Sequence, residues 1–182
     1  LDLIVACDLL DPAYINEVLQ LVVDDLCVAL EECTTPGAPE SCFISWTAPP
    51  DDCCNFLAVW MDELLPTAGF PAVNNSDPFQ CGVLRMMRVK ARLVRPCWPV
   101  VRDNAQAPFP SAGEMQAAAE LLLIDSNVVW CRLVSAFSNN FYNVNETDCL
   151  LSMIGDLRPD KPRGGCAGFT ATWMMELSNC RC

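Results

Sequence analysis

Arg88-Val89-Lys90-Ala91-Arg92-Leu93 alternates cation and apolar side chain without a break. In a strand, a two-residue period puts Arg88, Lys90 and Arg92 on one face and Val89, Ala91 and Leu93 on the other. One face is then buried against the body of the domain, and the other looks outward. The stretch lies inside an extended segment, Cys81–Val101, which reads as the longest strand of the chain, with Pro96 and Pro99 as points of interruption.

Upstream, two shorter segments read as strands. Ser41–Thr47 ends before Pro49-Pro50, and Cys54–Leu65 carries the β-branched and aromatic run Phe56-Leu57-Ala58-Val59-Trp60. Pro66–Gln80, with three prolines and Asn74-Asn75, reads as an extended polar loop. Before these strands, Asp11-Pro12 is a helix start, an N-cap followed by a proline that needs no donor. Ile15, Val18, Leu19, Val22, Leu26, Ala29 and Leu30 then recur at helical steps as far as Cys33.

Downstream, Ser111-Ala112-Gly113-Glu114 fits a capping box. The second helix that follows places Met115, Ala118, Ala119, Leu122, Leu123, Val129, Trp130, Leu133, Val134 and Phe137 on its apolar stripe. Cys149–Leu157 and Cys166–Leu177 read as strands joined by the turn Arg158–Gly165. The order α-β-β-β-α-β-β predicts one α+β domain over residues 1–182: a single antiparallel or mixed sheet with two amphipathic helices on one face.

Charge is divided sharply along the chain. All eleven basic residues lie at or after Arg85, whereas fourteen of the 23 acidic residues precede it, so residues 1–84 carry −14 and the rest +2. A net charge of −12 opposes general nucleic-acid binding, which needs a basic surface. No apolar run reaches the roughly 18 residues of a bilayer span, since Asp24 and Asp25 break the longest at Val18–Leu30. No membrane partner is therefore expected. The opening Leu1-Asp2-Leu3-Ile4-Val5 shows no cationic leader, so no secretory signal is expected in this stretch either.

Histidine is absent, which removes the commonest general base, the Ser–His and Cys–His pairs and imidazole ligands. The Gly-rich Arg163–Gly168 lacks the lysine-serine ending of a phosphate loop and reads as a turn. Among the thirteen cysteines, the close pairs Cys53-Cys54 and Cys180-Arg181-Cys182 lack the spacing of a zinc knuckle, so neither metal nor cofactor is expected. Most thiols read as small core residues. Cys33, Cys42, Cys53, Cys54, Cys166, Cys180 and Cys182 flank loops and are the disulfide candidates. Asp24-Asp25, Glu31-Glu32, Asp51-Asp52 and Asp62-Glu63 suit solvated faces or a charged interface better than a catalytic pair, because neighbours in an element point apart. Arg85, Arg88, Lys90, Arg92 and Arg95 on one copy, against Asp24, Asp25, Asp51 and Asp52 on another, form the candidate subunit interface. Such a contact is heterologous and closes into a ring when the rotation permits.

Several local patterns carry a resemblance. They are Leu26-Cys27-Val28-Ala29-Leu30 in the first helix, Cys42 opening a strand, and Asp52-Cys53-Cys54 before the aromatic strand Phe56–Trp60. Cys81-Gly82 then precedes the long strand that ends at Arg95-Pro96-Cys97, Pro108 and Pro110 precede the second helix, and Gly164-Gly165-Cys166-Ala167-Gly168 leads into the last strand. In this order the chain resembles the tail terminator proteins at the neck of long-tailed bacteriophages, particularly those of actinobacteriophages. The resemblance implies a structural virion protein, not an enzyme, assembled in the host cytoplasm. It implies a hexameric ring that caps the tail tube, docks to the head-completion (stopper) protein and passes DNA only as cargo in its lumen. A head-completion or adaptor role in the neck is the near alternative. A secreted cysteine-rich binding module is the alternative from another class, and the state of the thiols separates the two.

Overall fold

The computed structural model describes residues 12–49, 55–69, 72–73, 84–97, 110–139, 142, 152–161 and 165–177. Its elements are α1 (Pro12–Cys33), β1 (Ser41–Ile44), β2 (Phe56–Gly69), β3 (Ala72–Val73), β4 (Leu84–Pro96), α2 (Ala112–Ser138), β5 (Ser152–Pro159) and β6 (Cys166–Leu177). The strands form one sheet in the order β1-β2-β4-β6-β5, with the two-residue β3 folded back on β2. Only β1–β2 is parallel, so the α+β sheet is mixed.

The alternation in β4 sets the layers. Ladder partners share a face, so Leu57, Leu93 and Phe169 align, as do Val59, Ala91 and Ala171, and Met61, Val89 and Trp173. These rows, buried except for the partly covered Met61, lie beneath Val18, Val22 and Leu26 of α1 and Val129, Leu133 and Ala136 of α2. α1 lies against β1 and β2, and α2 against β5 and β6. Arg88, Lys90 and Arg92 stand on the face turned away from the helices. At one end of that face Phe56, Ala58, Val94 and Cys166 make a second, small apolar cluster.

Both helix ends have local causes. The Thr34 amide and hydroxyl both donate to the Leu30 carbonyl (3.1 and 2.7 Å), and Gly37 turns away at φ 69°, which favours glycine. At α2 the predicted capping box is formed: the Glu114 amide donates to Ser111 Oγ (3.2 Å), and the Ser111 amide donates to Glu114 Oε2 (2.7 Å). These bonds hold the Glu114 carboxyl below its usual range. The expected cap Asp11 of the first helix lies outside the described residues.

Several boundaries differ from the sequence reading. β2 starts at Phe56 because Asn55 sits in the left-handed region (φ 65°). It then runs on to Gly69, and Ala72–Val73 pairs back on it, so the stretch read as a loop over 66–80 begins as a strand and hairpin. The rest of that stretch lies outside the described residues. β4 runs over Leu84–Pro96 and ends at the imino acid Pro96, and residues 81–83 and 98–101 of the expected strand lie outside the described residues. Gly168 is fixed by packing, since a Cβ there would stand 2.2 Å from the Leu93 carbonyl oxygen of the adjoining strand.

Candidate interaction surfaces

The basic ribbon is neutralised inside its own subunit. Arg88 pairs with Glu63 (2.6 Å), Lys90 with Asp62 (2.8 Å) and Arg92 with Asp160 (2.6 Å). Asp160 also accepts from the Thr170 hydroxyl (3.0 Å). A register shift between Met61 and Glu63 lets two successive acids of β2 meet successive cations of β4. A β-bulge does this by inserting one residue into the alternation. Adjacent carboxylates in a regular strand point apart; the bulge overturns that expectation for Asp62-Glu63.

Two of the predicted interface residues are not on the surface. Arg95 shares the parity of Val89, Ala91 and Leu93, so it lies on the helix side of the sheet and is 2% exposed. It donates to Asp125 of α2 through Nε (3.0 Å) and Nη2 (3.4 Å), to the Gly37 carbonyl (2.8 Å) and to Asn55 Oδ1 (3.3 Å). Asp25 is buried as well. It accepts from Arg132 of α2 at Nε (2.8 and 2.9 Å) and Nη2, and from the Tyr142 hydroxyl (2.9 Å). Burial first, then the Asp25 charge and hydrogen bond, push the Tyr142 phenol well above its ordinary value. The hydrogen bond to Asp25 raises Arg132. Asp24 is exposed and accepts from Gln20 (2.8 Å). Arg85 holds a ladder position opposite Pro66 and Leu177. Asp51, Asp52 and the side chain of Arg85 lie outside the described residues.

The cysteines also divide. Cys27 of α1 is bonded to Cys42 of β1, with Cα atoms 6.4 Å apart. Cys42 is among the candidates from the sequence, whereas Cys27 is not. It sits on the flank of α1 nearest β1 and ties the helix to the sheet edge. Cys166 is disulfide-bonded too, and its partner lies outside the described residues. Cys33 is free and exposed, which corrects its candidacy; Cys97 and Cys131 are also free. Cys53, Cys54, Cys180 and Cys182 lie outside the described residues. Burial raises the Cys97 thiol, which lowers its thiolate fraction and its use as a nucleophile. Among the described residues, no group of three or more Cys, Asp or Glu side chains is placed to hold a metal ion.

The outward sheet face carries a shallow depression of about 670 Å³ lined by Arg88, Lys90, Arg158, Lys161, Asp156 and Asp160, with Thr170 and Thr172 between them. Arg158 is itself paired with Asp156 (2.5 Å). Its charges are mixed and largely satisfied, which suits a hydrated polar surface more than a strongly basic dock.

The unsatisfied surfaces are apolar. Met115, Leu123, Trp130 and Val134, all read as buried stripe, are exposed along with Ile124. The stripe in the sequence is wider than the face α2 gives the core, and its outer edge is left bare. By length and composition alone α2 is apolar enough to cross a bilayer, contrary to the sequence reading, and most of that length is exposed. Its core face and its ion pairs to Asp25 and Arg95 nevertheless build it into the domain. A second apolar surface is a groove of about 250 Å³ between the start of α1 and the end of β1, lined by Pro12, Ile15, Leu19, Ile44, Trp46 and Met61. Neither surface was singled out from the sequence. The usable signal was Leu123, Asn127, Trp130 and Val134 at steps of four, three and four, a helix-docking seam apart from Val129, Leu133 and Ala136.

No protein-family model and no curated protein matches the chain.

Proposed function

We propose that the protein is a structural assembly subunit, a tail-terminator-like part of a bacteriophage neck. It works by forming a hexameric ring that caps the tail tube and docks to the head-completion protein, with DNA passing through the lumen. The observation that carries this reading is the exposed apolar face of α2. On a chain of net charge −12, such a face marks a contact with another protein more often than a bare surface. The observed order, which is the expected α-β-β-β-α-β-β apart from the added two-residue β3, with both helices on one face, supports the resemblance on which the specific role rests. The reading requires no catalytic residues and no cofactor. Electron microscopy of the purified protein, alone and mixed with tail tubes, tests it: six-fold rings seated on tube ends support it, and a particle of one subunit that never caps a tube refutes it.

A second reading has its own observation. The Cys27–Cys42 bridge and the bonded Cys166 fit an oxidising compartment, as for a secreted binding module. Intact mass without reduction decides between the two. Six bridges favour the secreted module; mostly free thiols in protein made in a reducing cytoplasm favour the neck subunit.

A further inference from the structure

We infer that the outer face of α2 on one subunit seats in the groove beside α1 of the next, head to tail. The inference rests on the ring reading for self-association and adds which surfaces meet.

Charge singles out the α2 face. Between Leu121 and Ser138 the only charged residues are Asp125 and Arg132. Both are spent inside the subunit, on Arg95 and Asp25. The exposed face of α1, by contrast, carries Glu17, Asp24, Glu31 and Glu32. Copies of such an acidic chain approach with least repulsion where no unpaired acid faces the partner, and among the described residues the second half of α2 offers such a place.

Shape and size point to the same pair of surfaces. Leu123, Asn127, Trp130 and Val134 form a seam of the kind whose side chains enter holes on a facing surface. Leu123 is 68% exposed, and Trp46 at the rim of the groove is 82% exposed. At about 250 Å³ the groove is smaller than the roughly 300–1,000 Å³ of small-molecule sites and suits one or two large side chains. Taking about 150–250 Å² for each such residue when fully exposed, Leu123, Ile124, Trp130, Val134 and Trp46 leave roughly 400–700 Å² of largely apolar surface open. A stable contact buries about 1,600 Å² in all, of which about 900 Å² is apolar. These five residues therefore supply about half or more of what is needed before the groove walls are added.

The two surfaces belong to different halves of the subunit. α1 and the groove lie over β1 and β2, and α2 lies over β5 and β6. Each copy can offer one surface and receive the other, a heterologous contact that closes into a ring when the rotation permits. Packing α2 against α2 across a two-fold axis would leave the groove and Trp46 bare.

The test uses the full chain with Leu123→Glu and Trp46→Glu, both exposed positions, with far-UV circular dichroism to confirm folding and Val134→Lys as a second α2 variant. Assembly is followed by sedimentation velocity and electron microscopy. We expect each variant alone to be monomeric at concentrations where the wild type assembles, a loss of at least tenfold in apparent affinity. An equimolar mixture should give 1:1 pairs and nothing larger, because the groove intact in Leu123→Glu accepts the α2 intact in Trp46→Glu. Rings formed by Leu123→Glu and Val134→Lys as by the wild type would overturn the inference and leave the ring reading standing. Wild-type assembly by Trp46→Glu, with Leu123→Glu monomeric, would also overturn it, since α2 then meets another surface. Flotation of the wild type, but not Leu123→Glu, with phosphatidylcholine vesicles would overturn it in favour of lipid. A wild type monomeric at every concentration would overturn both.

Discussion

Removing the Asp125 carboxylate should be among the most damaging single changes in the protein. Arg95 is 2% exposed and Asp125 0%, so neither charge has water to fall back on. A guanidinium has five N–H donors. Asp125 takes two of the bonds Arg95 makes, and the Gly37 carbonyl and Asn55 Oδ1 take the other two. Asp125→Ala leaves a buried cation with two neutral acceptors, and breaking a buried pair this way costs about 3–5 kcal/mol. At roughly 2–4 °C per kcal/mol for a chain of this length, Tm should fall by about 6–20 °C. Asp125→Asn keeps the shape and one acceptor, and should lose about half as much, near the roughly 1.5–3 kcal/mol of a hydrogen bond to a charged group. Replacing both partners, as Arg95→Met with Asp125→Leu, should recover most of the loss, because the penalty lies in the orphaned charge. Urea titration with an unchanged m-value is the assay. A loss below about 1 kcal/mol for Asp125→Ala would mean that Arg95 reaches water and that the pair does not lock α2 to the end of β4.

Leu133 and Trp130 lie three residues apart on α2, neighbours about 60° apart round the helix, with Leu133 inside its buried face and Trp130 at the edge. Leu133→Ala should cost about 2–5 kcal/mol, because the side chain is fully buried. Trp130→Ala, 36% exposed, should cost less in chemical denaturation, and the reverse order would put the wrong face of α2 against the sheet. Gly168→Ala forces β4 and β6 apart at Val94, so a loss of about 1–3 kcal/mol is expected in the same assay, with a stable variant disproving the close approach. The raised Tyr142 phenol stays protonated in the fold but titrates near 10.0 when unfolded. Its contribution is therefore complete below pH 10 and is lost as pH rises above it. Tyr142→Phe should remove that alkaline slope from a plot of Tm against pH, and an unchanged slope would assign it to other groups.

The layers of the fold were legible because each follows from a local period. The strict alternation at Val89, Ala91 and Leu93 fixed which face of the sheet meets the helices, and Ser111 with Glu114 fixed where α2 starts. What the period did not settle was where strands begin and end. Asn55 in a left-handed conformation trims the start of β2, and the hairpin at Ala72–Val73 draws a proline-bearing segment into the sheet through partners distant in sequence. The extent of the apolar stripe on α2 was misread for a related reason. Hydrophobicity marks what avoids water, and both a core and a docking surface satisfy it. The stripe alone therefore could not separate Leu133, which is covered within the subunit, from Leu123, which is not.

The charge pattern pointed to groups that the subunit pairs largely within itself, for a physical reason. A cationic strand in an acidic chain calls for a partner of opposite sign, and the separation of residues 1–84 from the rest suggested that the partner sits on another copy. Chain separation is not spatial separation. β2, which belongs to the acidic part, is the ladder neighbour of β4, and its bulge aims both Asp62 and Glu63 at Lys90 and Arg88. Asp25 and Arg132, 107 residues apart, meet across the two helices in the same way. The opposed charges of the sequence are thus consumed largely in folding one subunit. The half-exposed Arg88–Glu63 and Lys90–Asp62 pairs contribute at most about 1 kcal/mol each, and Arg92–Asp160 is more covered, so reversing Arg88, Lys90 and Arg92 should chiefly unsettle the sheet face. On the proposed ring reading, association falls to apolar groups left open in the subunit, among them the edge of α2 and the groove under Trp46.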